Sequence, residues 1–175
     1  MRDYDRPHLD RKPVCGENLR MHSILFICLG NICRSPTAEG LMINHLAAAG
    51  LSHQVLVDSA GIGGWHSGQP PDERAVAAAR KRGVDLSPLR ARQVQKVDFS
   101  NFELIVGMDR QNVADLRRLA PVGSTAHVGL FLEEALGLSN EVPDPYYEDE
   151  RAFDAVFDLC DRAARALVGK IRAES

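Results

Sequence analysis

The chain has 175 residues, 21 Lys+Arg against 24 Asp+Glu for a net charge of −3, and 45% hydrophobic residues. A length near 150 predicts one domain, and such a chain buries roughly 70% of its unfolded surface, so dominant disorder is excluded. A near-neutral balance gives no global reason to expect nucleic acid or an anionic membrane as partner.

The first twenty residues (MRDYDRPHLDRKPVCGENLR) interleave charge and proline, without the apolar stretch of ~7–15 residues that a secretory signal needs. Residues 1–22 are expected to be a flexible extension, with Met21 as an alternative start. No run approaches the ~20 apolar residues of a membrane span, so no membrane insertion is expected. Of the cysteines Cys15, Cys28, Cys33 and Cys160, none forms a CxxC pair, and no HExxH occurs, so no metal site is predicted. The sparse cysteines favour a reducing, cytoplasmic setting.

Residues 23–27 (SILFI) read as a buried parallel strand before a glycine-bearing turn. In the helix that follows, Ser35 is the expected N-cap, Pro36 the first helical residue, and Gly50 the stop. Residues 54–59 (QVLVDS) form a second strand that ends at the loop GIGGWHSGQPP, and residues 72–82 a helix with acid at its start and base at its end. Residues 103–107 (ELIVG) form a third strand before a helix over 110–120. A fourth strand is expected at 126–130, a short helix at 133–136 and a long final helix at 150–172. The period of that last helix makes Cys160 a core residue. The alternation predicts an α/β fold: a three-layer open sheet of about four parallel strands with helices on both faces, in one domain over residues 23–175. Its ligand site belongs at the strand carboxyl ends, where the loops after Ile27, Ser59 and Gly107 converge.

The segment Cys28-Leu29-Gly30-Asn31-Ile32-Cys33-Arg34-Ser35 is a phosphate-binding loop after the first strand. A strand–loop–helix corner turns backbone N–H groups into one concavity, and the helix N-terminus adds positive potential. Gly30 and Asn31 tolerate the left-handed angles such a curl requires. Arg34 offers a forked guanidinium for two phosphate oxygens. The surroundings that hold phosphate also favour a thiolate, making Cys28 a nucleophile in line with bound phosphorus. Alone, Cys28 would read as a buried strand cysteine and Arg34 as a surface residue; the spacing Cys-x5-Arg-Ser at this corner argues for chemistry. Expelling a phenoxide, whose conjugate acid has a pKa near ~10, needs a general acid. Asp144, between Pro143 and Pro145, supplies a carboxyl at a fixed position, and Tyr146 and Tyr147 an aromatic wall.

CLGNICRSPTAE and DPYY together resemble the low-molecular-weight protein tyrosine phosphatases, as do DSAG, GWHSG, ARQ and MDRQN in the same order between residues 58 and 112. The resemblance implies phosphotyrosine hydrolysis through a phosphocysteine intermediate, with Cys28 as nucleophile, Arg34 holding phosphate and Asp144 as acid and then base. It implies that the 29–35 backbone wraps phosphate, that Asn31 holds the loop with Ser59 as partner, and that Ser35 donates to the thiolate. Leu29, Ile32, Trp65, Tyr146 and Tyr147 would line the ring slot, and Asp109 would brace the site. It implies no cofactor or metal, and phosphotyrosine proteins as partners, with a bacterial-style tyrosine kinase a family-level suggestion. Leu89 stands where many members have a histidine that braces the loop. Cys33 is either packing under the helix start or a redox partner that protects Cys28, the second being the family's implication.

Three rival functions fit these residues less well. Thioredoxin-coupled arsenate reductase needs two more redox cysteines in a central mobile segment, which this chain lacks. Protein-arginine phosphatases carry a small Thr at the position of Ile32. A non-catalytic phosphate reader needs neither Cys28 nor Asp144.

Overall fold

The computed structural model describes residues 22–174. The expected extension and the alternative start at Met21, with Cys15, lie outside them, His22 excepted; its backbone N–H donates to Glu103 at 2.7 Å.

Four parallel strands, β1 (Ser23–Cys28), β2 (Leu56–Gly61), β3 (Leu104–Gly107) and β4 (His127–Leu130), stand in the order β2-β1-β3-β4. The helices are α1 (Arg34–Ala48), α2 (Glu73–Arg80), α3 (Asp98–Asn101), α4 (Arg110–Leu119), α5 (Phe131–Leu136) and α6 (Glu150–Ala173). All six residues of β1 are buried, as its continuous apolar run requires of a central strand covered on both faces. Side chains alternate along it. Ile24, Phe26 and Cys28 enter the core under α1, α2, α5 and α6, while Leu25 and Ile27 enter a smaller core with Phe99 of α3 and Leu116 of α4. Burying each such Ile, Leu or Phe contributes ~1.5–3 kcal/mol, so β1 is firmly anchored on both faces.

The chain leaves β1 toward β2 on one side and returns as β3 on the other. This reversal opens a crevice between the loops after β1 and β3, where open sheets of this type bind ligands.

Strand and helix positions match the sequence reading closely; α5 starts at Phe131 and α2 ends at Arg80, each two residues earlier than expected, and three further differences stand out. β2 runs two residues later than expected, because its pairing begins at Ser23↔Leu56. The short α3 has no counterpart in that reading; its four residues are too few to show a period. α1 begins at Arg34 with Cys33 as N-cap and no side-chain cap, so Ser35 does not cap it. The Ser35 hydroxyl is instead engaged by Cys28 and Asn31. At the other end Gly50 turns with φ 72°, as a helix stop should.

Candidate active site

Cys28 ends β1, so the pleat that buries Ile24 and Phe26 also fixes the direction of its sulfur. The Asn31 N–H points at Sγ from 3.3 Å, and the Ser35 hydroxyl lies 3.0 Å away. This sulfur sits at the focus of the loop.

Asn31 is the one non-glycine residue with positive φ among those described, at 57°. Its carboxamide offsets that strain. Nδ2 donates to Ser35 Oγ at 2.9 Å and to Ser59 Oγ at 2.8 Å, while Oδ1 accepts from the Arg92 backbone N–H at 2.9 Å. Ser59 passes the network on, donating to Glu39 Oε2 at 2.6 Å. Glu39 is buried, and Leu89 packs against the large apolar core. The loop is therefore braced through Asn31, Ser59 and Glu39 from β2 and α1.

Gly30 serves differently from expectation. Its φ is not left-handed, and the tight curl is taken by Asn31 alone. A Cβ at Gly30 would meet His66 Cδ2 at 3.0 Å and Trp65 Nε1 at 3.8 Å. The glycine lets the 62–72 loop lie down on the phosphate loop. Trp65 in turn lies across Gly63, whose added Cβ would fall 1.7 Å from the indole.

Arg34 is 3% exposed, which removes the surface reading. Nη1 donates to Asp109 Oδ2 at 2.7 Å and to the Val142 carbonyl at 3.1 Å; Nη2 donates to Asp144 Oδ2 at 3.1 Å. Burial works against its charge, but the attraction of Cys28, Asp109 and Asp144 outweighs it and pushes its pKa higher still. Asp109 is itself locked as N-cap of α4 by a reciprocal capping box with Asn112.

Asp144 lies in the irregular stretch between α5 and α6. Val142 is pinned to the end of β3 by its N–H to the Met108 carbonyl at 2.8 Å, and the Tyr146 N–H donates to Asp144 Oδ1 at 3.2 Å. The carboxyl is about half exposed and faces the guanidinium from the solvent side. Tyr146 and Tyr147 meet edge to face with centroids 4.9 Å apart; Tyr147 is almost wholly in solvent. Leu29 is exposed and Ile32 half-buried, both on the loop itself.

Cys33 is buried at the start of α1, its thiol pKa pushed far up by burial and by Asp72. Cys160 is fully enclosed in the core, and burial raises its thiol to about 12. The candidate chemistry thus centres on Cys28.

The residues that the sequence reading missed are Glu39, His66, Arg74 and Arg92. Glu39, His66 and Arg92 lie in the quoted segments CLGNICRSPTAE, GWHSG and ARQ but were given no role there; Arg74 lies in none of them.

Residues 23–175 match the family model for low molecular weight phosphotyrosine protein phosphatase. The chain belongs to this family. It is 43% identical to low molecular weight phosphotyrosine protein phosphatase 1 of Drosophila melanogaster, over 85% of this chain and 96% of that one. It is 40% identical to the low molecular weight protein-tyrosine-phosphatase YfkJ of Bacillus subtilis, over 88% of this chain and 98% of that one. The solved protein tyrosine phosphatase of Entamoeba histolytica with Hepes in its active site superposes with a TM-score of 0.81 at 34% identity, covering 87% of this chain and 97% of that one. Family membership makes the chain a cysteine-dependent phosphatase. Among the described residues no helix is long and apolar enough to cross a membrane.

Proposed function

We propose that the chain removes phosphate from tyrosine in proteins, and from small aryl phosphates, with Cys28 as nucleophile, Arg34 as phosphate holder and Asp144 as proton donor and acceptor. The observation that carries this reading is the alignment of Cys28 Sγ, the Asn31 N–H, Arg34 and Asp144 around one crevice.

Phosphate bound by the loop amides and Arg34 draws the guanidinium away from Asp144, and the added negative charge favours the protonated carboxyl. The Cys28 thiolate attacks phosphorus; the P–S bond forms, the P–O ester bond breaks, and Asp144 gives its proton to the departing phenoxide. In the second half Asp144, now a carboxylate, takes a proton from water as its oxygen attacks phosphorus. The P–S bond breaks, and the Ser35 hydroxyl supports the returning thiolate. Arg34 and the loop N–H groups stabilise the equatorial oxygens in both halves. Trp65 and Tyr146 flank the entrance as walls for a phenyl ring, with Leu29, Ile32 and Tyr147 as its apolar margin. Arg34 and the loop N–H groups supply the positive charge, so the proposed steps route nothing through a cofactor.

The proposed attack requires a reduced Cys28, which fits a reducing, cytoplasmic setting. The protein substrates would be products of a tyrosine kinase, a bacterial-style one by family analogy. Residues 23–175 would act as one domain.

Hydrolysis of p-nitrophenyl phosphate by the wild type and by Cys28→Ser tests the reading. Turnover in the variant should fall by roughly 10⁴-fold or more. Equal turnover in both would refute the nucleophile assignment, and none in either would leave a phosphate reader.

A further inference from the structure

Arg74, the second residue of α2, is one helix away from the chemistry and touches none of the groups assigned above as acid or nucleophile. Its guanidinium nevertheless joins three segments of the site. Toward its own helix start it forks onto Asp72, with Nε to Oδ1 at 3.0 Å and Nη2 to Oδ2 at 2.9 Å. Asp72 in turn donates its backbone N–H to the Ile32 carbonyl of the phosphate loop at 2.8 Å. Toward the acid segment, Nη2 donates to the Tyr146 carbonyl at 3.1 Å and Nη1 to the Glu148 carbonyl at 3.2 Å. The guanidinium carbon also lies over two rings, 4.3 Å from the Phe153 centroid and 5.7 Å from that of Tyr146.

We propose that Arg74 is a positioning residue for the acid step, clamping the 144–148 backbone to the phosphate loop so that the Asp144 carboxyl stands over the leaving oxygen. This rests on the assignment of Asp144 as general acid. Asp144 is about half exposed and its segment has no regular structure, so two backbone carbonyls gripped from across the crevice restrain where it goes. A misplacement of about 1 Å in a catalytic group costs on the order of 10²-fold. The donors of one planar fork serve a carboxylate and two carbonyls together, and a lysine ammonium cannot reproduce that geometry.

The test is kcat/KM over a series of aryl phosphates, from p-nitrophenyl phosphate to phosphotyrosine, for wild type, Arg74→Ala, Arg74→Lys, Asp144→Ala and Arg74→Ala/Asp144→Ala. A residue acting through the acid has its cost concentrated on poor leaving groups. Both Arg74 variants should lose about tenfold on phosphotyrosine and no more than about threefold on p-nitrophenyl phosphate. Added to Asp144→Ala, the Arg74→Ala change should cost less than about twofold more, since coupled residues are not additive. A uniform loss across leaving groups, a full multiplicative loss in the double variant, or wild-type behaviour would overturn the proposal. Should Arg74→Ala fail to fold, Arg74→Lys decides the matter by the same leaving-group series. If Asp144→Ala itself shows no leaving-group dependence, the acid assignment fails first, and the clamp falls with it; an intact Asp144 effect with an indifferent Arg74 refutes the clamp alone.

Discussion

The phosphate loop, residues 28–35, and the acid segment, residues 142–149, face each other across Arg34 and are held by opposite means. In the loop, Cys28, Asn31, Arg34 and Ser35 are buried and hydrogen-bonded to one another, to Ser59 of β2 or to Asp109 at the start of α4. In the segment, Asp144, Tyr146 and Tyr147 are exposed to different degrees, and the ties are backbone carbonyls gripped by distant arginines. The difference follows the work of each part. An anion cradle gains by preorganisation, since every donor must be aimed before the charge arrives. An acid that gives a proton and takes one back must exchange partners, from guanidinium to phenol oxygen to water. Tight burial would prevent that exchange.

Oxidation gives the sharpest contrast, because it strikes the enclosed side alone. We propose that Cys33 rescues Cys28 after peroxide attack. The Cys28 thiolate cleaves the peroxide O–O bond and becomes a sulfenic acid, releasing hydroxide. The Cys33 thiol then displaces water from that sulfur to form a disulfide, which a dithiol reductant returns to two thiols. Burial and Asp72 keep Cys33 protonated, so it is the resolving partner rather than the first target. Wild-type activity lost to peroxide should return almost fully with excess dithiol, whereas Cys33→Ala should stay inactive. Equal recovery in both would leave Cys33 as packing.

Rigidity in the loop is the next point to break. Asn31→Ala removes the carboxamide that serves Ser35, Ser59 and the Arg92 N–H, and places a Cβ residue without compensation at φ 57°. Asn31→Gly removes the same hydrogen bonds but is at ease with that angle. Urea denaturation should show a loss of about 3 kcal/mol for alanine and about 2 kcal/mol for glycine, the gap being the left-handed penalty. Both should lower kcat/KM. Full activity in Asn31→Gly would mean that loop shape alone matters and that the hydrogen bonds do not.

Legibility in the sequence divides along the same line. Cys28, Gly30, Asn31, Arg34 and Ser35 are readable because a strand end, a turn and a helix start place them locally, within eight positions. The uses of Gly30 and Ser35 differ from expectation because each depends on a partner elsewhere: His66 lies over the one, and the Cys28 sulfur takes the hydroxyl that would have capped α1. The sheet is legible from its alternation of apolar runs and amphipathic stretches. Arg74 and Glu39 are not, because their partners come from sequence separations that no spacing rule encodes, 72 and 74 residues for Arg74 and 20 for Glu39. The acid segment is visible only as a proline-bounded aspartate, and the means of its attachment is a tertiary fact.

That attachment offers the smallest and most specific effect. Asp72 caps α2 through the Arg74 N–H and pairs with its guanidinium. Burial alone would raise its pKa, yet the Arg74 hydrogen bonds win and hold it below the ordinary 3.8. A depressed carboxyl contributes stability that is present above the unfolded value and lost as pH falls through the folded one. Asp72→Asn keeps a capping oxygen and removes the charge, so it should cost ~0.5 kcal/mol at neutral pH, the scale of a solvent-screened pair. The deficit should close as pH falls below the ordinary carboxylate value of 3.8 and through the lowered folded one, where the wild-type carboxyl is protonated too. Thermal melts of both proteins across that range measure the closure. A deficit that persisted unchanged in acid would assign Asp72 to helix capping and leave Arg74 gripping the acid segment without an anchor on its own side.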